Sequence, residues 1–206
     1  MNTSNSLLLF VFWVTMFSCK SKEHGDRIIA TGLSEIHLPN QEAENDFNKG
    51  LYFVRQENYS AAKDFFLEAD EESPNTPVIL NAIGNCMDRT GNALQGFAYF
   101  KKAMQIDSNF TKTYVNYGCS LNNSRRFDEA ERIFRLGLVK RSLPSFDKAA
   151  IYMNLADTYY HRDQYEKALS LLDSAKIGLT NRGLYNTIIQ AENQIRRDAH
   201  YPQLAH

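Results

Sequence analysis

Gly50-Leu51-Tyr52-Phe53-Val54-Arg55-Gln56-Glu57-Asn58-Tyr59-Ser60-Ala61-Ala62-Lys63-Asp64-Phe65-Phe66-Leu67-Glu68-Ala69 opens a pattern that the chain repeats three more times. Gly50 is followed in register by Gly84, Gly118 and Ala156, at steps of 34, 34 and 38 residues. The same steps link Ala62, Gly96, Ala130 and Ala168, and again Ala69, Ala103, Gly137 and Ala175. Phe66, Phe100, Phe134 and Leu172 form a fourth column. Every slot in the three small-residue columns holds Gly or Ala. If small residues fill roughly one position in five, chance agreement is on the order of one in 10⁸. The columns share one register.

Close helix packing explains them. Helix axes approach to about 8 Å only where the side chains at the crossing are small. A small residue on a first helix must therefore meet small residues on a second, with an aromatic ring filling the space beside them. Tyr59, Phe127 and Tyr165 are expected to begin second helices, and Phe53 and Tyr159 follow the small residue by three positions. Gly91-Asn92, Asn123-Ser124 and Arg162-Asp163 supply turn signals between paired helices. Pro74 and Pro144 stand between units, where a helix must stop.

This pattern resembles the tetratricopeptide repeat, a helix-turn-helix of 34 residues. The resemblance implies an all-α fold, a right-handed superhelical solenoid of about four helix-turn-helix units spanning 43–76, 77–110, 111–148 and 149–182. The third unit carries a four-residue insertion before the fourth. Beyond it, Leu184, Ile188, Ala191 and Ile195 recur at helical spacing, with Gln190, Asn193, Arg196 and Arg197 on the other faces. That amphipathic stretch, 183–199, is expected to cap the solenoid, followed by a tail at 200–206.

The N-terminal part reads differently. The first eighteen residues lack Asp, Glu, Lys and Arg, and Leu7 to Phe17 is almost unbroken apolar sequence closed by Ser18-Cys19. Eleven residues make about 16 Å of helix, short of a hydrocarbon core of about 30 Å. The length suits the h-region of a secretory signal. With Cys19 at its end and polar Lys20-Ser21-Lys22 beyond, the segment resembles a bacterial lipoprotein precursor with the loose lipobox found in Bacteroidota. That resemblance implies removal of 1–18, acylation of Cys19, and a flexible tether over 19–42. It also implies an outer-membrane lipoprotein facing the periplasm or the cell surface.

Catalytic chemistry finds no constellation here. The five histidines are scattered, and Gly91-Asn92-Ala93-Leu94-Gln95-Gly96 lacks the Lys and Ser/Thr of a phosphate loop. No metal, cofactor or enzymatic activity is expected. With 23 basic and 24 acidic side chains, the net charge of -1 gives no electrostatic basis for binding nucleic acid. Cys86 and Cys119 lie near one repeat apart at unequal offsets, and are expected to be two separately buried thiols.

The expected function is protein–protein interaction. In tetratricopeptide proteins the first helices line a concave groove for a peptide or protein segment. Carried onto this chain, the resemblance puts Phe47, Leu51, Val54 and Arg55 of the first unit there, and Asn81, Asn85, Asp88 and Arg89 of the second. The third would add Lys112, Val115, Cys119, Asn122 and Asn123, and the fourth Met153, Asp157, Tyr160 and His161. Amides suit peptide backbone because each can donate and accept. The carboxylate clamp of chaperone adaptors is not expected: Asn85 and Asn116 match it, but Asn81, Ala150 and Asn154 replace its cations. The partner is an unidentified protein or peptide. Two narrower readings remain open, a pilotin-like or secretion-assembly lipoprotein and an accessory subunit of a glycan-processing complex.

Charge is uneven between repeats. Residues 43–76 carry 3 basic against 8 acidic side chains, and residues 111–148 carry 8 against 4. Arg125, Arg126, Arg132 and Arg135 would form a basic outer face, and head-to-tail self-association is one use for it.

If Cys19 carries the lipid, Cys19→Ser should move the protein from the membrane to the soluble periplasmic fraction. Palmitate labelling that persists in that variant would remove the basis for an anchor there.

Overall fold

A computed structural model describes residues 38–140 and 143–200. The apolar run, Cys19 and the tail beyond residue 200 lie outside the described residues. Nine α-helices are present among the described residues. They are α1 (Gln41–Arg55), α2 (Tyr59–Glu72), α3 (Pro77–Arg89), α4 (Ala93–Ile106), α5 (Thr111–Asn123), α6 (Phe127–Leu138), α7 (Ser145–Tyr160), α8 (Tyr165–Lys176) and α9 (Arg182–Asp198). The described residues divide into two compact units, 38–120 and 121–200.

The chain starts folding earlier than the repeat boundary suggests. Leu38 is buried and its N–H donates to Glu44 Oε2 at 3.0 Å. The Asn40 side chain caps α1 by accepting from the Glu42 and Ala43 amides. Residues 41 and 42, expected in the tether, are therefore helical. At the other end of the repeats, the extra four residues of the 38-residue step are absorbed partly by α7. That helix begins at Ser145, after Pro144 at its N-cap, rather than at 149.

Each helix pair closes on the columns read from the sequence. In the 38–120 unit a Cβ on Gly50 would stand 2.4 Å from the Phe66 ring. A Cβ on Gly96 would stand 2.7 Å from the Gly84 carbonyl oxygen. Ala62, Phe66, Phe100 and Ala103 are fully buried there, as are Ala130, Phe134 and Ala168 in the 121–200 unit. Phe47 packs on Phe66 with ring centroids 5.2 Å apart, and Tyr117 meets Phe97 and Phe100 at 5.4 and 5.6 Å.

The turns between paired helices are built alike. Glu57, Gly91, Arg125 and Asp163 all have φ near +60 to +86°. At each turn the next amide reaches back five residues: Asn58 to Phe53, Asn92 to Met87, Arg126 to Leu121 and Gln164 to Tyr159, at 2.8–3.0 Å. This is the αL ending that satisfies orphan helix carbonyls. Only Gly91 is the residue type that adopts such a φ without strain.

The cap helix departs from its reading in one respect. Asn193, expected on a polar face, is buried, and so is Glu192, whose Oε1 meets Lys176 Nζ at 2.7 Å. Burial raises the Glu192 pKa and Lys176 opposes that rise.

Gly96→Ala would press a methyl group into the Gly84 backbone, which cannot rotate aside. Thermal unfolding followed by circular dichroism should register a loss of about 1–3 kcal/mol. The neighbouring exposed Gln95→Ala should leave stability nearly unchanged.

Candidate functional site

The first helices carry the residues expected to line a groove. In the 38–120 unit Phe47, Leu51 and Val54 belong to the core rather than to an open face. Phe47 is held there by its ring contact with Phe66. Asn81 is buried, and its Oδ1 accepts from Asn116 Nδ2 at 3.2 Å. The residue that replaces a clamp cation thus binds the asparagine that would have served the clamp.

Two further expected groove residues in this unit bridge successive repeats. Ser120 Oγ on α5 donates to Asp88 Oδ1 on α3 at 2.6 Å. Arg89 Nη2 donates to Tyr59 Oη at 3.1 Å, and its guanidinium lies 4.8 Å from that ring's centroid. Asn85 is half-buried, and its amide makes no hydrogen bond among the described residues. Lys112 is also half-buried. Cys86 is a buried thiol in no disulfide, while Cys119 is half-buried, so the expectation of two separately buried thiols holds for Cys86 alone.

In the 121–200 unit the bridging pattern returns in the same register. Asn122 is buried, and its Nδ2 donates to Thr158 Oγ1 at 2.9 Å and to the Asn154 carbonyl at 3.4 Å. Asn122 stands where Asp88 stands one repeat earlier, and Thr158 where Ser120 does. Tyr160, next in that column, donates to Asp198 Oδ2 on the cap helix at 2.7 Å. Burial and this bond raise the Tyr160 pKa well above the usual phenol range. His161 occupies the register of Arg89 and stacks on Phe127 at 5.9 Å, as Arg89 does on Tyr59. Asn123 is half-buried beside this row.

Asp157 is different in kind. Its side chain is 3% exposed, Oδ1 lies 3.4 Å from His161 Nε2, and Oδ2 has no hydrogen-bond partner. Burial alone pushes its carboxyl up to about 7. The sequence puts Asp157 on a first helix but gives no sign of its burial.

The expected basic outer face is largely answered within the protein. Arg126 pairs with Glu129 at 2.6 Å and Arg135 with Glu131 at 3.0 Å. Arg162 bonds Glu131 at 2.9 Å and also Asp128. Tyr159 donates to Glu131 at 2.6 Å and accepts from Arg135 at 3.1 Å. Those three hydrogen bonds to Glu131 outweigh its desolvation and hold its pKa below the usual range. Arg125 lies over the Phe127 ring and Arg132 is exposed. No cluster of three or more His, Cys, Asp or Glu side chains suited to a metal occurs among the described residues.

Residues 149–176 match the family profile of the tetratricopeptide repeat. Hsp70-Hsp90 organizing protein 3 of Arabidopsis thaliana is 26% identical over 96 residues, 47% of this chain and 17% of that protein. The matched stretch therefore spans about a sixth of that relative's length. PilF of Pseudomonas aeruginosa superposes with a TM-score of 0.66 at 15% identity, over 78% of this chain and 70% of that one. MamA from residue 41 to its end, of Desulfovibrio magneticus RS-1, gives 0.61 at 16% identity, over 79% and 88%. YrrB, described as a TPR protein with an unusual peptide-binding site, gives 0.57 at 24% identity, over 73% and 74%. At these identities the solved structures share the fold. Residues 149–176 are thus similar to a tetratricopeptide repeat, and the described residues share the all-α, paired-helix fold of tetratricopeptide-repeat solenoids.

The Asp157 carboxyl sets a pH dependence. Folded, it keeps its proton up to about pH 7, while the unfolded chain releases it near 3.8. Rising pH between those values therefore favours unfolding, and the stability that protonated Asp157 contributes is lost through that window. Asp157→Asn removes the effect. Relative to the variant, the wild-type melting temperature should fall between about pH 5 and about pH 8. Parallel curves for the two proteins would show that Asp157 ionises freely in the fold.

Proposed function

We propose that this chain is a non-enzymatic interaction module, held at a bacterial outer membrane through Cys19, that binds a peptide segment along its first-helix faces. One observation carries the reading. Beside the residues that bridge repeats, half-buried side chains remain on the first helices: Asn85 and Lys112 in one unit, Met153 in the other. Asn85 offers an amide not committed to any bond among the described residues, and Met153 offers adaptable apolar area. YrrB, similar in fold, is described as having an unusual peptide-binding site, which supports peptide binding as the kind of function.

The anchor rests on sequence. The apolar run Leu7–Phe17 ends at Cys19, and no helix among the described residues is long and apolar enough to cross a membrane. Lipid on one cysteine needs a second chain or contact for stable attachment, so multiple acylation is the form that fits.

Site-specific photocrosslinking in the native host separates this face from the outer one. A photoreactive amino acid at position 85 or 153 should give a partner adduct, and the same probe at position 132 should not. Both substituted positions avoid the bridges between repeats, so the fold is retained. Adducts from position 132 alone would transfer the interaction to the outer arginine face.

A further inference from the structure

We propose that the 121–200 unit holds a subsite for one cationic side chain, a lysine or arginine of the bound segment, at the Asp157 carboxylate. The inference rests on the peptide-binding reading and specifies what that peptide must contain. Asp157 follows Ala156 of the small-residue column by one position, in register with Asn85 and Cys119, so it belongs to the first-helix face. Its Oδ2 is buried without a hydrogen-bond partner. A carboxylate removed from water without a partner is costly, and a cation delivered to it relieves that cost.

The surroundings leave this place for a cation from outside. On α7 itself, Tyr160 turns its hydroxyl to Asp198 of α9, and Asp198 takes its other bonds from Gln194. Arg197 Nη2 donates to Gln194 Oε1 at 2.5 Å. Arg162, the nearest arginine in sequence, is engaged by Glu131 and Asp128. Asp163, at the turn into α8, accepts from Tyr165. Arg125, before α6, lies over the Phe127 ring. His161 is the cation-capable group beside Asp157, at 3.4 Å and in contact with Oδ1 only. Its side chain is 36% exposed where that of Asp157 is 3% exposed, so the imidazole lies on the solvent side. A rotation of His161 off Phe127 would open the carboxylate to a lysine or arginine end group. A charge-assisted hydrogen bond in that desolvated position is stronger than one at the surface.

Proton linkage follows from the same geometry. The cation requires an ionised Asp157, so binding expels the proton that the buried carboxyl holds below about pH 7. Binding should tighten as pH rises.

A phage-displayed random peptide library panned on the full purified chain and on its Asp157→Asn variant tests this. Wild type should select a consensus with Lys or Arg at one fixed position, and the variant should select the same consensus without it. A synthetic consensus peptide should bind wild type about tenfold or more tightly than its Lys-to-Gln counterpart, and more tightly at about pH 8 than at about pH 5. Both differences should vanish in Asp157→Asn, whose folding is checked by circular dichroism. A consensus with no basic position, or equal binding of the basic peptide by both proteins, overturns the cation subsite while peptide binding stands. Failure to enrich any peptide overturns the peptide-binding reading and the subsite with it.

Discussion

The missing side chain at Gly84 and Gly96 governs how α3 and α4 cross, and the other helix pairs obey the same constraint. The Gly84 carbonyl oxygen occupies the space a Cβ on Gly96 would need. At Gly50 the Phe66 ring takes that space instead, and at Gly84 the Phe100 ring does. Small residue and aromatic are thus one device: the glycine admits the ring, and the ring fills the gap that two close helices leave. Because interiors are packed to the density of organic crystals, neither partner can change alone. The shared αL turns then follow, since two helices so close can be joined only by a short connection that reverses the chain.

Within a pair the packing is apolar, but between repeats it is partly polar. Asp88–Ser120, Asn122–Thr158 and Tyr160–Asp198 lie at one register on successive first helices and differ completely in chemistry. A hydrogen bond fixes the axial offset of neighbouring helices in a way that interchangeable aliphatic contacts do not. Leaving such a buried donor or acceptor unmade is costly, so each bond disfavours slipped registers. The second recurrence, Arg89 on Tyr59 and His161 on Phe127, ties the end of a first helix to the preceding unit's second helix. These residues were candidates for binding because polar side chains on a repeat's first helix are ambiguous. The same amide can meet a peptide or a neighbouring repeat.

That ambiguity marks the limit of what the residues alone convey. The helix pairs were legible because Gly and Ala columns at 34 and 38 residues have no other economical cause. Tyr59, Phe127 and Tyr165 begin their helices as the pattern requires. The left-handed turn residues were legible at Gly91 and hidden at Glu57, Arg125 and Asp163, where the backbone conformation is imposed by packing against local preference. The Asn40 cap was hidden because it precedes the first repeat, outside the period that gave the register. At the site, helix and register were legible and burial was not. Asn85 and Asn122 look alike in sequence, yet Asn122 finds Thr158 in the next repeat. Asn85 finds no such partner among the described residues.

Asp157 differs from the bridging residues of the first-helix row. Asp88, Asn122 and Tyr160 find partners across repeats, while the buried Asp157 carboxylate leaves one oxygen unmatched, as the uncharged Thr113 hydroxyl also is. An Asn at 157 would keep the shape and avoid a charge, so the carboxylate is not needed for packing. Local conflicts with otherwise consistent packing tend to sit at functional positions, because stability alone gives no reason to keep them. The conflict is softened by the proton that burial holds on the group up to about pH 7, which makes the position neutral until something charged arrives. A site that is neutral when empty and anionic when filled avoids burying an uncompensated charge, and selects for the one feature, a positive end group, that can displace the proton.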